Sequence, residues 1–214
     1  MIWTLSNRLL FTAIFISGAS ALIYQLIWVR LLGLVFGVSS FAVATVVAVF
    51  LLGLGLGSYF FGRWSERTRD PLRIYMYVEL GIAAFSLASY GVIEQAPIFR
   101  YVHELAYNHF DLYGLSLIRL ALAVLVLLPP VFLIGGTMPL ISKYFLTARE
   151  TFGSGFSRLY YLNTLGAFAG VLLTGFVLVK YFGVLATLMI AVAGNLLVAA
   201  MIAAGKSASE PPPA

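Results

Sequence analysis

The chain has 214 residues, 62% hydrophobic and 10% charged, with a mean hydropathy of +1.01 and a formal net charge of +5. That much apolar area exceeds what a soluble core of this size buries, so composition excludes an ordinary soluble domain and points to a polytopic all-α protein in the lipid bilayer. The lack of cysteine excludes disulfides, thiolate metal sites, thiol nucleophiles and covalent haem, and two histidines are too few for much of a metal site. The basic surplus lies in loops beside apolar spans, where it reports topology rather than nucleic-acid binding.

A hydrocarbon core about 30 Å thick takes about 20 helical residues. That length divides the chain into about six transmembrane helices, at roughly 9–32, 38–62, 74–95, 115–135, 158–180 and 183–204. The run after Arg8 continues past Gly18 to Leu32 and reads as a first span rather than a signal peptide. Six spans return both termini to one side. With both termini cytoplasmic, Arg8, Arg63, Arg67, Arg69, Arg73, Lys143, Arg149, Arg158 and Lys206 lie inside, against Arg30, Arg100, Arg119 and Lys180 outside, and this bias selects that orientation.

The first span carries Tyr24, Gln25, Trp28 and Arg30 toward its outer end. Tyr24 and Trp28, four apart, share a face with Gln25. Two readings stand: interfacial anchoring by the rings with a snorkelling arginine, or a ligand or helix contact through Gln25 and Arg30. The second span ends in Gly53-Leu54-Gly55-Leu56-Gly57-Ser58. A phosphate cradle would have to leave a strand and open a helix, whereas these glycines sit inside an apolar run where Gly53 and Gly57 serve close helix packing. The basic loop that follows, with Arg63, Glu66 and Arg67, resembles the loop between the second and third helices of major facilitator transporters, but basic turns are common and a plain positive-inside turn is the favoured reading.

The third span contains Glu79, an intramembrane ionisable group that is either functional or paired with a loop arginine near the interface. Outside, residues 97–110 place Ile98, Phe99, Val102, Leu105 and Ala106 along one stripe, an amphipathic helix lying in the interface. His103 and His109, six apart, are poorly spaced as ligands of one metal. The fourth span meets Pro129-Pro130 and then Gly135-Gly136-Thr137-Met138-Pro139, where the helix is expected to kink or stop. Such a break either lines a cavity or marks a helix exit, with residues 141–150 at the interface and Gly153 and Gly155 allowing a flexible return.

The fifth span opens with Tyr160, Tyr161, Asn163 and Thr164 and continues through Gly166 and Gly170. Asn163, Gly166 and Gly170 share a helical face, and Gly166-x-x-x-Gly170 admits another backbone closely. This is read as the central packing helix. A tight connection at Tyr181-Phe182-Gly183 makes the sixth span its antiparallel neighbour, and Asn195 is a second isolated amide. Residues 1–205 thus form a six-helix domain, and 206–214 a polar, proline-rich linker or tail.

Four ordered blocks carry a resemblance: Ser17-Gly18-Ala19-x-Ala21-Leu22-Ile23-Tyr24-Gln25-x-x-Trp28-x-Arg30; Gly-x-Gly-x-Gly-Ser into Gly62-Arg63; Gly136-Thr137-x-Pro139-Leu140; and Leu159-Tyr160-x-x-Asn163-Thr164-x-Gly166-Ala167. Together they resemble the membrane domain of bacterial spermidine synthase-like membrane proteins, the fused major facilitator and spermidine synthase family. The resemblance implies a multi-pass protein of the bacterial inner membrane. In that family the membrane helices commonly precede an aminopropyltransferase-like domain. After residue 204 this sequence has no strand-loop-helix alternation, and its aspartates, Asp70 and Asp111, lie between spans. No catalytic residue and no cofactor carry over.

The expected role is therefore a membrane module that anchors, positions or assembles a protein partner, or a homodimer, and is non-catalytic by itself. One alternative is half of a transporter for a small polar or cationic, polyamine-like solute, acting as a dimer. The other is the membrane part of an aminopropyltransferase-like enzyme whose catalytic domain lies outside this chain.

Overall fold

The computed structural model describes residues 7–36, 40–94, 101, 104, 112–148 and 152–207. The described residues are all-helical, with no strand. The elements are α1 (Asn7–Phe36), α2 (Ser40–Arg67), α3 (Pro71–Glu94), α4 (Leu112–Ala148), α5 (Phe152–Leu173), a π-helical turn at Thr174–Leu178, and α6 (Val179–Ser207). Five helical stretches are long and apolar enough to cross a membrane: Arg8–Val35, Val43–Arg67, Pro71–Glu94, Tyr113–Phe145 and Gly155–Gly205. Helices this apolar on most faces are at home in lipid, where backbone groups must bond within the helix itself.

The last stretch is 51 residues long, but it is not one rod. Gly183 has φ 77° and ψ 178°, a conformation open essentially to glycine alone. On either side the chain returns to the same level of α1. Gly170 lies against Ala19, and Gly194 lies against Ile16 and Ser20. A straight helix would separate residues 170 and 194 by roughly 36 Å at 1.5 Å per residue, so α5 and α6 run back past each other about Gly183.

Two glycine seams set the packing. Between α2 and α4, a Cβ at Gly57 would collide with the Phe132 carbonyl, one at Gly135 with the Leu54 carbonyl, and one at Gly53 with Val131. Between α1 and α5, Gly166 abuts the Phe15 carbonyl, Gly170 the Ala19 carbonyl, and Gly18 the Asn163 carbonyl. Lipid tails are as apolar as leucine, so helices associate through such close backbone contact rather than through burial from water. α3 then packs on α4 and α6, and α6 packs on α1.

Several expectations change here. α1 packs against every other described helix, whereas α5 packs chiefly on α1, so the packing centre is the first helix and not the fifth. α4 does not stop at its prolines: Pro129, Pro130 and Pro139 all lie inside one 37-residue helix. Ile141, Tyr144 and Phe145 beyond them are buried in the core, not laid in the interface. Neighbouring helices hold α4 together where a lone proline-bearing helix would break. Gly155 is likewise helical and packs under the Phe145 ring. The expected amphipathic helix at 97–110 lies outside the described residues except for Tyr101 and Glu104, both exposed.

The α2–α3 turn has a clear local cause. Asp70 caps α3 by accepting the Arg73 backbone N–H at 3.1 Å, and Pro71 takes the first helical position, where no amide hydrogen is needed.

Candidate functional site: a buried carboxyl beside a small cavity

Positions 17, 24 and 28 of α1 recur at helical spacing and form one stripe, as do 75, 79, 82, 86 and 89 of α3. The two stripes face each other, with Asn195 of α6 closing the third side. Glu79 is fully buried at the centre, 0% exposed. The Ser17 hydroxyl donates to its Oε1 at 2.6 Å and the Asn195 amide nitrogen to its Oε2 at 2.5 Å. Tyr75, one turn earlier on α3, is buried on the same stripe.

The network continues outward from Asn195. The Tyr24 hydroxyl donates to Asn195 Oδ1 at 2.8 Å, and the Tyr24 ring stacks on Trp28 with centroids 5.7 Å apart. Trp28 Nε1 donates to Ser89 Oγ at 2.9 Å, and the Ser89 hydroxyl passes to the Ser86 carbonyl at 2.7 Å. The buried side chains of Ser17, Tyr24, Trp28, Glu79, Ser89 and Asn195 thereby find partners, as an apolar surround demands, while the Ser86 hydroxyl has none among the described residues.

The sequence-derived candidates divide three ways. Tyr24, Trp28 and Glu79 come together in the network. Tyr24 and Trp28 are both 0% exposed, so the interfacial-anchor reading fails for them: their polar atoms bond inside the bundle rather than at a lipid headgroup. Glu79 is likewise held by Ser17 and Asn195 rather than by a loop arginine. Asn163, Gly166 and Gly170 form the α1–α5 seam.

The remaining candidates stay apart. Gln25 is half-buried and Arg30 exposed, while Tyr160 and Thr164 face outward. With Tyr161, Leu165 and Phe168 they line an apolar groove on the outer surface. Arg63, Glu66 and Arg67 are exposed at the end of α2, where Arg63 Nη1 donates to the Tyr59 hydroxyl at 2.9 Å. Ser17, Tyr75, Ser86 and Ser89 were missed as site residues. Their signal was the shared stripe: Ser17 lies seven residues before Tyr24, and the α3 serines continue the spacing of Tyr75 and Glu79.

A cavity of about 230 Å³ adjoins this network among α1, α2, α4 and α5. Ser17, Ser58, Thr137 and Asn163 supply its polar groups, and Phe50, Leu54, Ile134 and Met138 much of its apolar wall. It is smaller than the roughly 300–1,000 Å³ typical of drug-sized sites, so its fit is to a small molecule. The chemistry on offer is hydrogen bonding in a partly open, largely apolar cavity, with the Glu79 carboxyl bonded to the lining residue Ser17.

Comparison with protein-family models, curated proteins and solved structures found no match. Fold and site together define a multi-pass helical membrane protein with a buried polar network beside a partly open cavity.

Proposed function

We propose that this chain is a membrane carrier module that takes a small polar or cationic solute into the cavity among α1, α2, α4 and α5. The observation that supports this most is the placement of Ser17, Ser58, Thr137 and Asn163 around one partly open cavity among apolar helices. Polar and ionisable side chains at membrane depth are costly, and they concentrate on solute and ion paths. In this reading the chain crosses the bilayer six times, α5 and α6 counting separately about Gly183, with both ends cytoplasmic. The membrane is the bacterial inner membrane, and a second copy completes the carrier.

The test is flux. Vesicles containing the purified chain are screened for counterflow of small labelled ammonium ions, amino acids and polyols. Saturable uptake that falls in Thr137→Val and Asn163→Leu variants supports the reading; uptake indistinguishable from empty vesicles for every probe removes it.

A second reading keeps the chain as an anchor that positions a transferase-like partner. The resemblance to spermidine synthase-like membrane proteins supports it, together with the outward aromatic face of Tyr160, Tyr161 and Phe168. Its test is intact-complex mass spectrometry after mild extraction from the native membrane. A stoichiometric soluble-domain partner favours the anchor, and recovery of the chain alone or as a dimer counts against it.

A further inference from the structure

Ser17 belongs to two places at once. It lines the cavity, and its hydroxyl hydrogen is given to Glu79 Oε1 at 2.6 Å. A serine hydroxyl has one hydrogen and two lone pairs, so what it offers on one side depends on what it does on the other. With Glu79 ionised, the hydrogen is committed to the carboxylate and the lone pairs remain for the cavity. With Glu79 protonated, the carboxyl can donate to Ser17 Oγ, and the serine hydrogen is released to point elsewhere. The cavity therefore meets an acceptor in one state and a donor in the other.

We propose that Ser17 is a proton relay between the cavity and Glu79, so that a hydrogen-bond-donating ammonium solute enters the cavity as a proton leaves the carboxyl. The relay step balances. A hydronium in the cavity gives a proton to Ser17 Oγ while the serine hydrogen passes to Oε1, leaving water, a neutral serine and a neutral carboxylic acid; release runs in reverse. The ammonium takes the place of that proton as the positive charge nearest the carboxylate, where low polarity makes the attraction strong. The solute half of this exchange rests on the cavity reading above, whereas the relay itself does not.

The groups around the carboxyl are compatible with such an exchange. Tyr75 of α3 and Tyr24 of α1 are the titratable groups nearest it in the network, and α6 presents the neutral Asn195. α4 packs along α3 with Leu133 against Gly81. Its Arg119 and Lys143 lie roughly 21 Å and 15 Å along the helix from Leu133, at 1.5 Å per residue. Among the described residues the carboxyl is thus held by neutral donors.

The experiment is infrared difference spectroscopy of the purified full chain in lipid vesicles. It follows the carbonyl stretch of a protonated carboxyl as bulk pH is stepped and as n-butylammonium is added at fixed pH, with proton release read by a dye. The band assigned by its loss in Glu79→Gln is expected to grow on acidification and to shrink on butylammonium addition, with protons released. Ser17→Ala is expected to slow the pH response by about tenfold or more, the effect of a raised transfer barrier, and Ser17→Thr to restore it. If Glu79→Gln does not fold, the Ser17 pair carries the test alone. A band that ignores pH while butylammonium still binds, or one equally fast in Ser17→Ala, overturns the relay and leaves the cavity reading standing. A Ser17-dependent pH response without butylammonium binding overturns the ammonium exchange and the cavity reading, and retains the relay.

Discussion

The Tyr24 hydroxyl on α1 donates to Oδ1 of Asn195 on α6 at 2.8 Å, joining side chains 171 residues apart in sequence. Because Asn195 also donates to Glu79, one amide ties α1, α3 and α6 together. Asn195→Ala removes both bonds and leaves two buried polar groups with one partner fewer, whereas Tyr24→Phe removes one bond. Interhelical hydrogen bonds in membranes average about 0.6 kcal/mol and reach about 1.7 kcal/mol. Unfolding in graded dodecyl sulfate, followed by circular dichroism, should show a loss of about 1–2 kcal/mol for Asn195→Ala and about half that or less for Tyr24→Phe. A larger loss for Tyr24→Phe would place the joint elsewhere.

Glycines of the second span separate sharply. A methyl at Gly57 meets the Phe132 carbonyl, while one at Gly55 meets nothing within 4 Å. Gly57→Ala should lower the melting temperature in detergent and loosen α2 from α4; Gly55→Ala should leave it unchanged or slightly raised, since alanine is the better helix former. Equal effects at the two positions would contradict the seam.

At Gly183 the backbone itself selects the residue. With φ 77° and ψ 178°, Gly183→Ala should cost about 1–3 kcal/mol in the same unfolding assay despite open space around the added methyl. A neutral result would mean that α5 and α6 do not reverse there.

Trp28 and Trp64 offer an optical check on burial. Trp28 is 0% exposed and Trp64 is 44% exposed. In Trp-to-Phe variants that leave one of them at a time, Trp28 should emit further to the blue and resist quenching by acrylamide and brominated lipid. Ser89→Ala should move the Trp28 emission further to the blue, because the buried indole N–H loses the acceptor that stabilises its polar excited state. Quenching of Trp28 by brominated lipid would return it to the membrane interface.

Much of the architecture was legible because span length and apolarity are properties of each segment alone. The glycine seams were legible for the same reason: Gly53 and Gly57, and Gly166 and Gly170, repeat at the spacing that bares one helix face. What the sequence left open were choices made between segments. Nothing local to Tyr24 or Trp28 distinguishes a ring at the headgroups from one stacked inside the bundle; Asn195 and Ser89 on other helices decide it. Glu79 equally had a plausible partner nearby in sequence, Arg73, and took its partners from α1 and α6 instead. Pro129 and Pro130 were read as breakers because the rule concerns a lone helix, and neighbouring helices override it.

The central claim, that water-borne small cations reach the cavity, is tested most directly by thiol accessibility, since the native chain contains no cysteine. Met138 lines the cavity, and Leu125, 73% exposed, sits on the outer apolar face of α4. Each is changed to cysteine in membranes and exposed to a small trimethylammonium methanethiosulfonate. Met138→Cys should react, and more slowly when Glu79→Gln removes the carboxyl, while Leu125→Cys stays inert in lipid. A Met138→Cys thiol as unreactive as that of Leu125→Cys would contradict the account.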